Sequence, residues 1–213
     1  MHRRSTTLSI LAAGAVLSLT ASLAGCGTTG SQPPAALPAA GGALGSSGGA
    51  GTATASGAAQ IPADYVVDIQ ADPTGDPAKD GLLTRTHDML MAYEQAVSRN
   101  APKDSLYQSL TTSFARGNLY SMIDTFTRAG ERPTGTVRFY GFSVRFTGKV
   151  ADVFFCQDTS KVQPVSFKTG RKTGAVATGT AAYSWWDTAF EKDAHGAWAI
   201  VYVSSLVGRQ SCM

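Results

Sequence analysis

Histidine and cysteine are scarce in this sequence of 213 residues, which contains three of each. There is no histidine pair and no two cysteines separated by two residues, so the usual ligand sets of a zinc site are missing. A glycine-rich phosphate loop ending in Lys-Ser or Lys-Thr is absent as well. The sequence therefore predicts no metal site and no cofactor.

Charged residues are also few, at 15% of the chain. The formal net charge of +3 includes Arg3 and Arg4, and without them 16 basic residues face 15 acidic ones. A nearly neutral domain offers no electrostatic reason to bind nucleic acid or an anionic membrane surface. No nucleic-acid partner is expected.

The amino terminus carries an export signal. The basic start Met1–Arg4 precedes an uncharged run from Leu8 to Ala24, which is shorter than a comfortable membrane span. The run closes with the letters LAGC, which resemble the bacterial lipobox. That resemblance implies a signal peptide over residues 1–25, cleavage before Cys26, and acyl chains of the palmitate type on Cys26. Two chains on one residue meet the requirement for stable anchoring.

This reading places the protein at the extracytoplasmic face of the cell membrane, with the lipid bilayer as a partner. Two alternatives remain at this stage. The first is an ordinary secretory signal in which Cys26 is incidental. The second is a transmembrane anchor, which is less favoured because no stop-transfer charges follow the apolar run.

Residues 26–63 are predicted to form a flexible tether. No charged residue occurs from Gly27 to Ala63, and the composition is dominated by Gly, Ala, Ser, Thr and Pro. Such a segment cannot bury enough apolar surface to offset its ordering entropy. Its root-mean-square reach is roughly 35 Å and its extended reach is on the order of 120 Å.

Two cysteines remain if Cys26 carries lipid. An even pair in an exported protein predicts a disulfide between Cys156 and Cys212. Closing a loop of about 55 residues stabilises a domain by roughly 4 kcal/mol in the chain-entropy model. The alternative is two unrelated thiols.

The remaining residues, 64–213, are enough for one domain with its own core. Apolar residues at three- and four-residue spacing predict a helix over 81–99. A short second helix is expected to begin at Lys103 and to break or kink at Gly117. A third apolar stripe ends at Gly130, which is placed to cap a helix.

The apolar period changes to two after Pro133. Alternation predicts strands over 140–146 and 150–158, a weaker strand over 162–167, and a final hairpin of 180–192 and 197–206. Helices followed by a run of antiparallel strands predict an α+β domain, with N-terminal helices packed on a curved antiparallel sheet.

The order of these elements resembles the nuclear transport factor 2-like (NTF2-like, SnoaL-like or cystatin-like) fold, in the version found in secreted actinobacterial lipoproteins. The resemblance rests on VRFYGFSVRFTGKVADVFFCQDTS and AAYSWWDTAFEKDAHGAWAIVYVSSLVGRQSC, with Ala129-Gly130 before the strands and Cys212 at the end. It implies a cone in which a bent sheet wraps a long helix, leaving a pocket at the open end. Relatives often carry an acidic residue where Phe155 stands. The family includes isomerases, dehydratases and non-catalytic binding modules, so the resemblance does not supply a function.

Candidate catalytic groups are present but unspecific. A pocket enzyme of this kind could pair an aspartate with a tyrosine, and the available residues are Asp124, Asp158, Asp187, Tyr120, Tyr140 and Tyr183. His87 is expected on the surface of the first helix and His195 in a hairpin turn. Lys-Thr-Gly occurs twice in residues 168–174, but no Ser-x-x-Lys accompanies it, so a basic exposed loop is expected.

The residue patterns favour a membrane-tethered, non-catalytic binding or assembly module. Its ligand would be a small apolar molecule, a cell-wall component or a cell-envelope protein, and a homodimer remains open. The alternative is a small isomerase- or dehydratase-like enzyme with an Asp/Tyr pocket. A deep pocket holding a buried carboxylate beside a tyrosine would favour the enzyme. A cavity filled by Trp, Phe and Met side chains would favour the module.

Overall fold

Five strands, three α-helices and two short 3₁₀ helices (Gly179–Ala182 and Gln210–Cys212) occur in residues 61–213, the part of the chain that the computed structural model describes. In chain order the strands and α-helices are β1 (Tyr65–Ile69), α1 (Pro77–Ser98), α2 (Ser105–Leu110), α3 (Ser113–Ala129), β2 (Glu131–Thr147), β3 (Val150–Ser166), β4 (Tyr183–Lys192) and β5 (Trp198–Val207). The predicted signal peptide, Cys26 and the predicted tether up to residue 60 lie outside the described residues. Ile61, near the end of that tether, packs against the hydrophobic core.

The strands form one sheet in the order β1-β2-β3-β4-β5. Neighbours from β2 to β5 are antiparallel, which confirms the α+β class with helices on a curved antiparallel sheet. The exception is β1, a strand that the sequence analysis did not predict and that pairs with β2 in parallel. Register shifts interrupt the β2–β3 and β4–β5 ladders, and bulges of this kind bend a sheet.

The sheet wraps the second half of α1. Every side chain from Ala92 to Ser98 is buried, so the last two turns of the helix have no solvent face. The helix begins at residue 77 and not at 81, because Asp76 accepts hydrogen bonds from two backbone N–H groups of the first turn and Pro77 suits its first position.

The prediction that Gly117 breaks a helix was wrong. Gly117 lies inside α3, is exposed, and has nothing near the position of an added Cβ atom. The break between α2 and α3 occurs at Thr111, which adopts an extended conformation and bridges to Ile200 of β5. Pairing with the sheet, which local sequence does not reveal, decides where the helices separate.

The strands β2 and β3 are longer than predicted. The segment over 162–167, predicted as a separate strand, continues β3 up to Ser166 and pairs with the start of β2. Gly135 makes that pairing possible, because its φ of +87° is unfavourable for other residues and an added Cβ would meet the Lys161 carbonyl oxygen. No helix within residues 61–213 has the length and apolar character needed to cross a membrane.

Candidate functional site

The space between the sheet and α1 is filled by aromatic side chains. Trp186 of β4 is 2% exposed, and its ring centroid lies 5.6 Å from that of Tyr93, 5.8 Å from Phe155 and 6.3 Å from Phe139. Met89 is also fully buried in this cluster. Phe155, where the relatives often have an acidic residue, faces the interior, and an apolar side chain therefore suits this position.

One carboxylate lies inside the domain, on α1. Glu94 is 2% exposed and accepts a hydrogen bond of 2.6 Å at its Oε2 from the hydroxyl of Tyr65 on β1. Burial raises the pKa of Glu94 to about 7, and the bond from Tyr65 offsets only part of that effect. Burial also raises the pKa of Tyr65 well above its ordinary value. The pair does not line any of three surface pockets in residues 61–213, and its hydrogen bond ties β1 to α1.

The aspartates considered in the sequence analysis lie elsewhere. Asp158 pairs with Arg138 at 3.1 Å on the outer face of the sheet, the face opposite α1. Burial alone would raise its pKa, but hydrogen bonds from Ser160 and the charge of Arg138 outweigh that effect and the pKa is lowered. Asp124 lies on α3 and pairs with Arg128 at 2.6 Å. Both side chains are therefore paired with arginines.

Asp187 lies on the outer face as well. Burial, and secondarily the charge of Asp152, raise its pKa, and its Oδ1 is buried without a hydrogen-bond partner. Asp187 is opposite Phe154 in the ladder, with no tyrosine beside it in register. Two of the candidate pairs do come together, both at the surface: Asp124 and Tyr120 line an open pocket of about 250 Å³ on α3, and Asp158 stands opposite Tyr183 on the outer face of the sheet.

The three candidate tyrosines lie on three different elements. Tyr120 lies on α3, whereas Tyr140 and Tyr183 lie on the outer face of β2 and β4. The hydroxyl of Tyr140 donates to the backbone oxygen of Cys212, and Arg138 lies over its ring, 4.6 Å from the centroid. Tyr140 therefore holds the C-terminal segment on the sheet.

The two candidate cysteines come together on the same face. Cys156 of β3 and Cys212 are joined as a disulfide with their Cα atoms 5.5 Å apart, which supports the predicted pairing. Trp185 stands opposite Cys156 in the ladder and stacks on Phe154 with ring centroids 5.2 Å apart. As expected for adjacent strand residues, Trp185 points outward and Trp186 points into the core.

The remaining candidates are exposed. His195 lies in the turn between β4 and β5, and the 168–174 segment is an exposed loop, both as predicted. His87 is on the solvent side of α1, 48% exposed, with its Nδ1 3.4 Å from a carboxylate oxygen of Asp88. Within residues 61–213 there is no group of three or more His, Cys, Asp or Glu side chains able to hold a metal ion.

His87 lines a groove that the sequence analysis did not anticipate. The groove has a volume of about 310 Å³ and lies between the first half of α1 and the chain that leaves β1. Its apolar lining comes from Ile69, Ala71, Pro73 and Leu83, and its polar lining from Asp80, Thr84 and His87. A volume of this size falls at the lower end of the range for ligand pockets.

The groove adjoins a strand edge that no described residue covers. In the parallel β1–β2 ladder the Asp64 carbonyl accepts from Gly135 and the Gln70 N–H donates to Phe139, so the even-numbered residues of β1 bond to β2. The N–H and C=O groups of Val67 and Ile69 therefore point away from β2, toward the edge.

The opposite edge of the sheet is covered. Along β5, the N–H of Thr112 donates to the Ile200 carbonyl at 2.9 Å, and the Asn118 side chain donates to the Val203 carbonyl at 2.9 Å. Exposed edges are templates for pairing, and proteins commonly protect them. Of the two edges of this sheet, only that of β1 lacks such protection from the described residues.

The charge around the groove is negative. Residues 64–88 contain six aspartates against Lys79 and Arg85, whereas residues 89–213 contain 14 basic against nine acidic residues. No lysine or arginine in the described part of the chain forms an ion pair with Asp72, Asp80 or Asp88. The near-zero net charge thus conceals an acidic segment on an otherwise basic domain.

Comparison with known proteins gave matches to solved structures only. No family model matches the sequence, and neither does any curated protein. An NTF2-like superfamily protein from Salmonella enterica serovar Typhimurium is 12% identical, with a TM-score of 0.43 over 62% of this chain and 95% of that one.

Two further matches have similar coverage. An NTF2-like protein from Cytophaga hutchinsonii is 9% identical, with a TM-score of 0.39 over 62% of this chain and 99% of that one. A putative dehydratase of the NTF2-like family from Streptomyces avermitilis is 13% identical, with a TM-score of 0.36 over 60% and 96%. The family that the sequence resembles is thus also the one named for these structures. Similarity at this level carries no conclusion about what the chain binds or catalyses.

Proposed function

We propose that the protein is a lipoprotein anchored through Cys26 at the extracytoplasmic face of the cell membrane. Its NTF2-like domain serves as a binding or assembly module for another component of the cell envelope. The lipobox-like sequence and the uncharged segment 27–63 support the anchoring. The surface groove beside β1 supports binding as the activity of the domain.

The observation that carries the proposal is the filled interior. An isomerase or dehydratase needs a chamber in which a substrate meets an acid or a base. Trp186, Phe155 and Phe139 occupy that space here, and the buried carboxylate of Glu94 is enclosed with Tyr65. A groove open to solvent suits the recognition of a partner better than turnover.

Anchoring is tested by metabolic labelling with a palmitate analogue. The wild-type chain is expected to take up the label and to sediment with the membrane. The Cys26→Ser variant is expected to lose both properties, because the acylated thiol is then absent. Label that persists in Cys26→Ser would contradict the anchoring.

Binding is tested on the processed chain in its native envelope. Reversible cross-linking, followed by purification and mass spectrometry, should recover a defined envelope component in a fixed ratio to the chain. The Cys26→Ser variant, released from the membrane, is the control for contacts that depend on location. Recovery of this chain alone in both cases would contradict the proposed module.

A further inference from the structure

We infer that the edge of β1 and the adjoining groove form a docking site for an extended, basic peptide segment of a partner protein, which adds to the sheet as a sixth strand. The inference rests on the proposed function, because it names the surface and the partner chemistry of the binding module. Strand addition is a recurring mode of peptide recognition, with main-chain bonds for affinity and side-chain pockets for specificity.

The main-chain component comes from β1. Val67 and Ile69 each present one N–H and one C=O group away from β2, at a spacing of two residues. This is the spacing at which an added strand forms its ladder of hydrogen bonds. The next residue toward the amino terminus on this side, Tyr65, already donates its N–H to the Pro62 carbonyl. The available ladder is therefore short, and the groove must contribute to affinity.

The side-chain component comes from α1. Leu83, Thr84 and His87 lie along the side of the helix that lines the groove, and Ile69 of β1 lines the other wall. A strand laid against β1 would point alternate side chains toward this groove. A volume of about 310 Å³ holds an aliphatic side chain and leaves polar contacts for its neighbours.

Charge selects the kind of peptide. Asp80 lines the groove, and Asp72 and Asp88 are next in sequence to residues that line it. None of the three aspartates forms an ion pair with a lysine or arginine of the described residues. In this inference the acidic segment 64–88 contacts the partner, and the rest of the domain, which carries a net positive charge, does not. Electrostatic complementarity of this kind sets specificity and the rate of association. A lysine- or arginine-rich strand fits, and a second copy of this edge, being equally acidic, does not.

The test uses the full chain, purified in detergent, and three synthetic peptides. The probe is a blocked heptapeptide of alternating lysine and valine. One control replaces lysine by glutamate, and the other keeps lysine but methylates alternate backbone nitrogens, which prevents ladder formation. Binding is measured by calorimetry, and amide hydrogen exchange is followed at Val67 and Ile69. The amides of Val66 and Asp68, already bonded to β2, serve as internal references.

The lysine peptide is expected to slow exchange at Val67 and Ile69 but not further at Val66 or Asp68. The two control peptides are expected to bind at least tenfold more weakly, because one repels the acidic edge and the other cannot pair with it. Thr84→Arg places a positive charge in the groove, which repels the lysine peptide. This variant should therefore weaken binding of that peptide about tenfold or more. Thr125→Arg on α3 is the matched control and should leave binding unchanged.

The inference would be overturned if the lysine peptide did not bind, or if the methylated or the glutamate peptide bound equally well. Binding of the lysine peptide without slower exchange at Val67 and Ile69 would also overturn it. Protection that grows with protein concentration in the absence of peptide would assign the edge to a second copy and would overturn it as well. If an envelope partner slowed amide exchange on a different surface instead, the proposed binding module would stand and this docking site would be refuted.

Discussion

Replacing Glu94 by glutamine tests whether the interior holds a buried, proton-binding carboxyl group. The side chain is 2% exposed, and its pKa is raised from an ordinary value of 4.5 to about 7. The folded protein therefore holds Glu94 protonated at pH values where the unfolded chain has lost the proton. The carbonyl oxygen of glutamine can still accept the hydrogen bond from Tyr65, so the variant removes the titration and keeps the contact.

The sign and size of the change in stability follow from the difference between the pKa of Glu94 in the folded protein and its pKa in the unfolded chain. The contribution of Glu94 to stability is fully present below pH 4.5 and is lost as the pH rises through about 7. At about 1.4 kcal/mol for each pH unit between the two values, the loss amounts to about 3 kcal/mol. Glutamine does not titrate, so the Glu94→Gln variant does not lose stability in this way as the pH rises. The variant should gain about 3 kcal/mol relative to wild type between pH 4.5 and pH 8.

The assay is urea unfolding of both proteins at several pH values from 4 to 8. The quantity compared is the difference in unfolding free energy between variant and wild type, because the other titrating groups then cancel. Glu191→Gln, at an exposed site on β4, is the matched control for the removal of a glutamate charge at the surface. A difference for Glu94→Gln that stays constant across this range would refute the buried carboxyl.

Five further substitutions, in three experiments, test the packing. Cys212→Ser should cost about 4 kcal/mol of unfolding free energy in the chain-entropy model, because it opens a loop with a sequence separation of 56, and reductant should then have no additional effect. Trp186→Ala should lower the free energy of unfolding by denaturant by about 3–5 kcal/mol. Trp185→Ala, on the half-exposed outer face, should lower it clearly less, and equal losses would contradict the assignment of faces. Gly135→Ala should lower the melting temperature, whereas Gly117→Ala, in an exposed helix interior, should raise stability by about 1 kcal/mol, and the reverse order would contradict the described backbone.

The parts of the fold that were predictable from sequence depend on local pattern. The spacing of apolar residues located α1, and the alternation in the second half of the chain located most of the sheet. Adjacent Trp185 and Trp186 lie on opposite faces, which strand geometry alone determines. The pairing of Cys156 with Cys212 was predicted from the cysteine count and the expectation of export, without knowledge of the contacts.

The parts that were missed depend on contacts between distant residues. The short strand β1 contains two adjacent valines, which favour a strand, but its parallel partner lies 70 residues further along the chain. Glu94 was not singled out, because only the folded chain shows that both sides of α1 are buried at that point. The groove could have been suspected from the six aspartates of residues 64–88, since charge asymmetry within a near-neutral domain is visible in the sequence.

The measurement that tests the central claim most directly is site-specific photo-cross-linking in intact cells. A photoreactive residue at Thr84, in the groove, is compared with one at Thr125 on α3. Both are exposed helix threonines whose hydroxyls bond to the carbonyl four residues earlier. The account predicts a membrane-associated adduct from Thr84 alone, with the cross-link on a basic peptide of an envelope protein. No adduct from Thr84, or the same adduct from both positions, would contradict it.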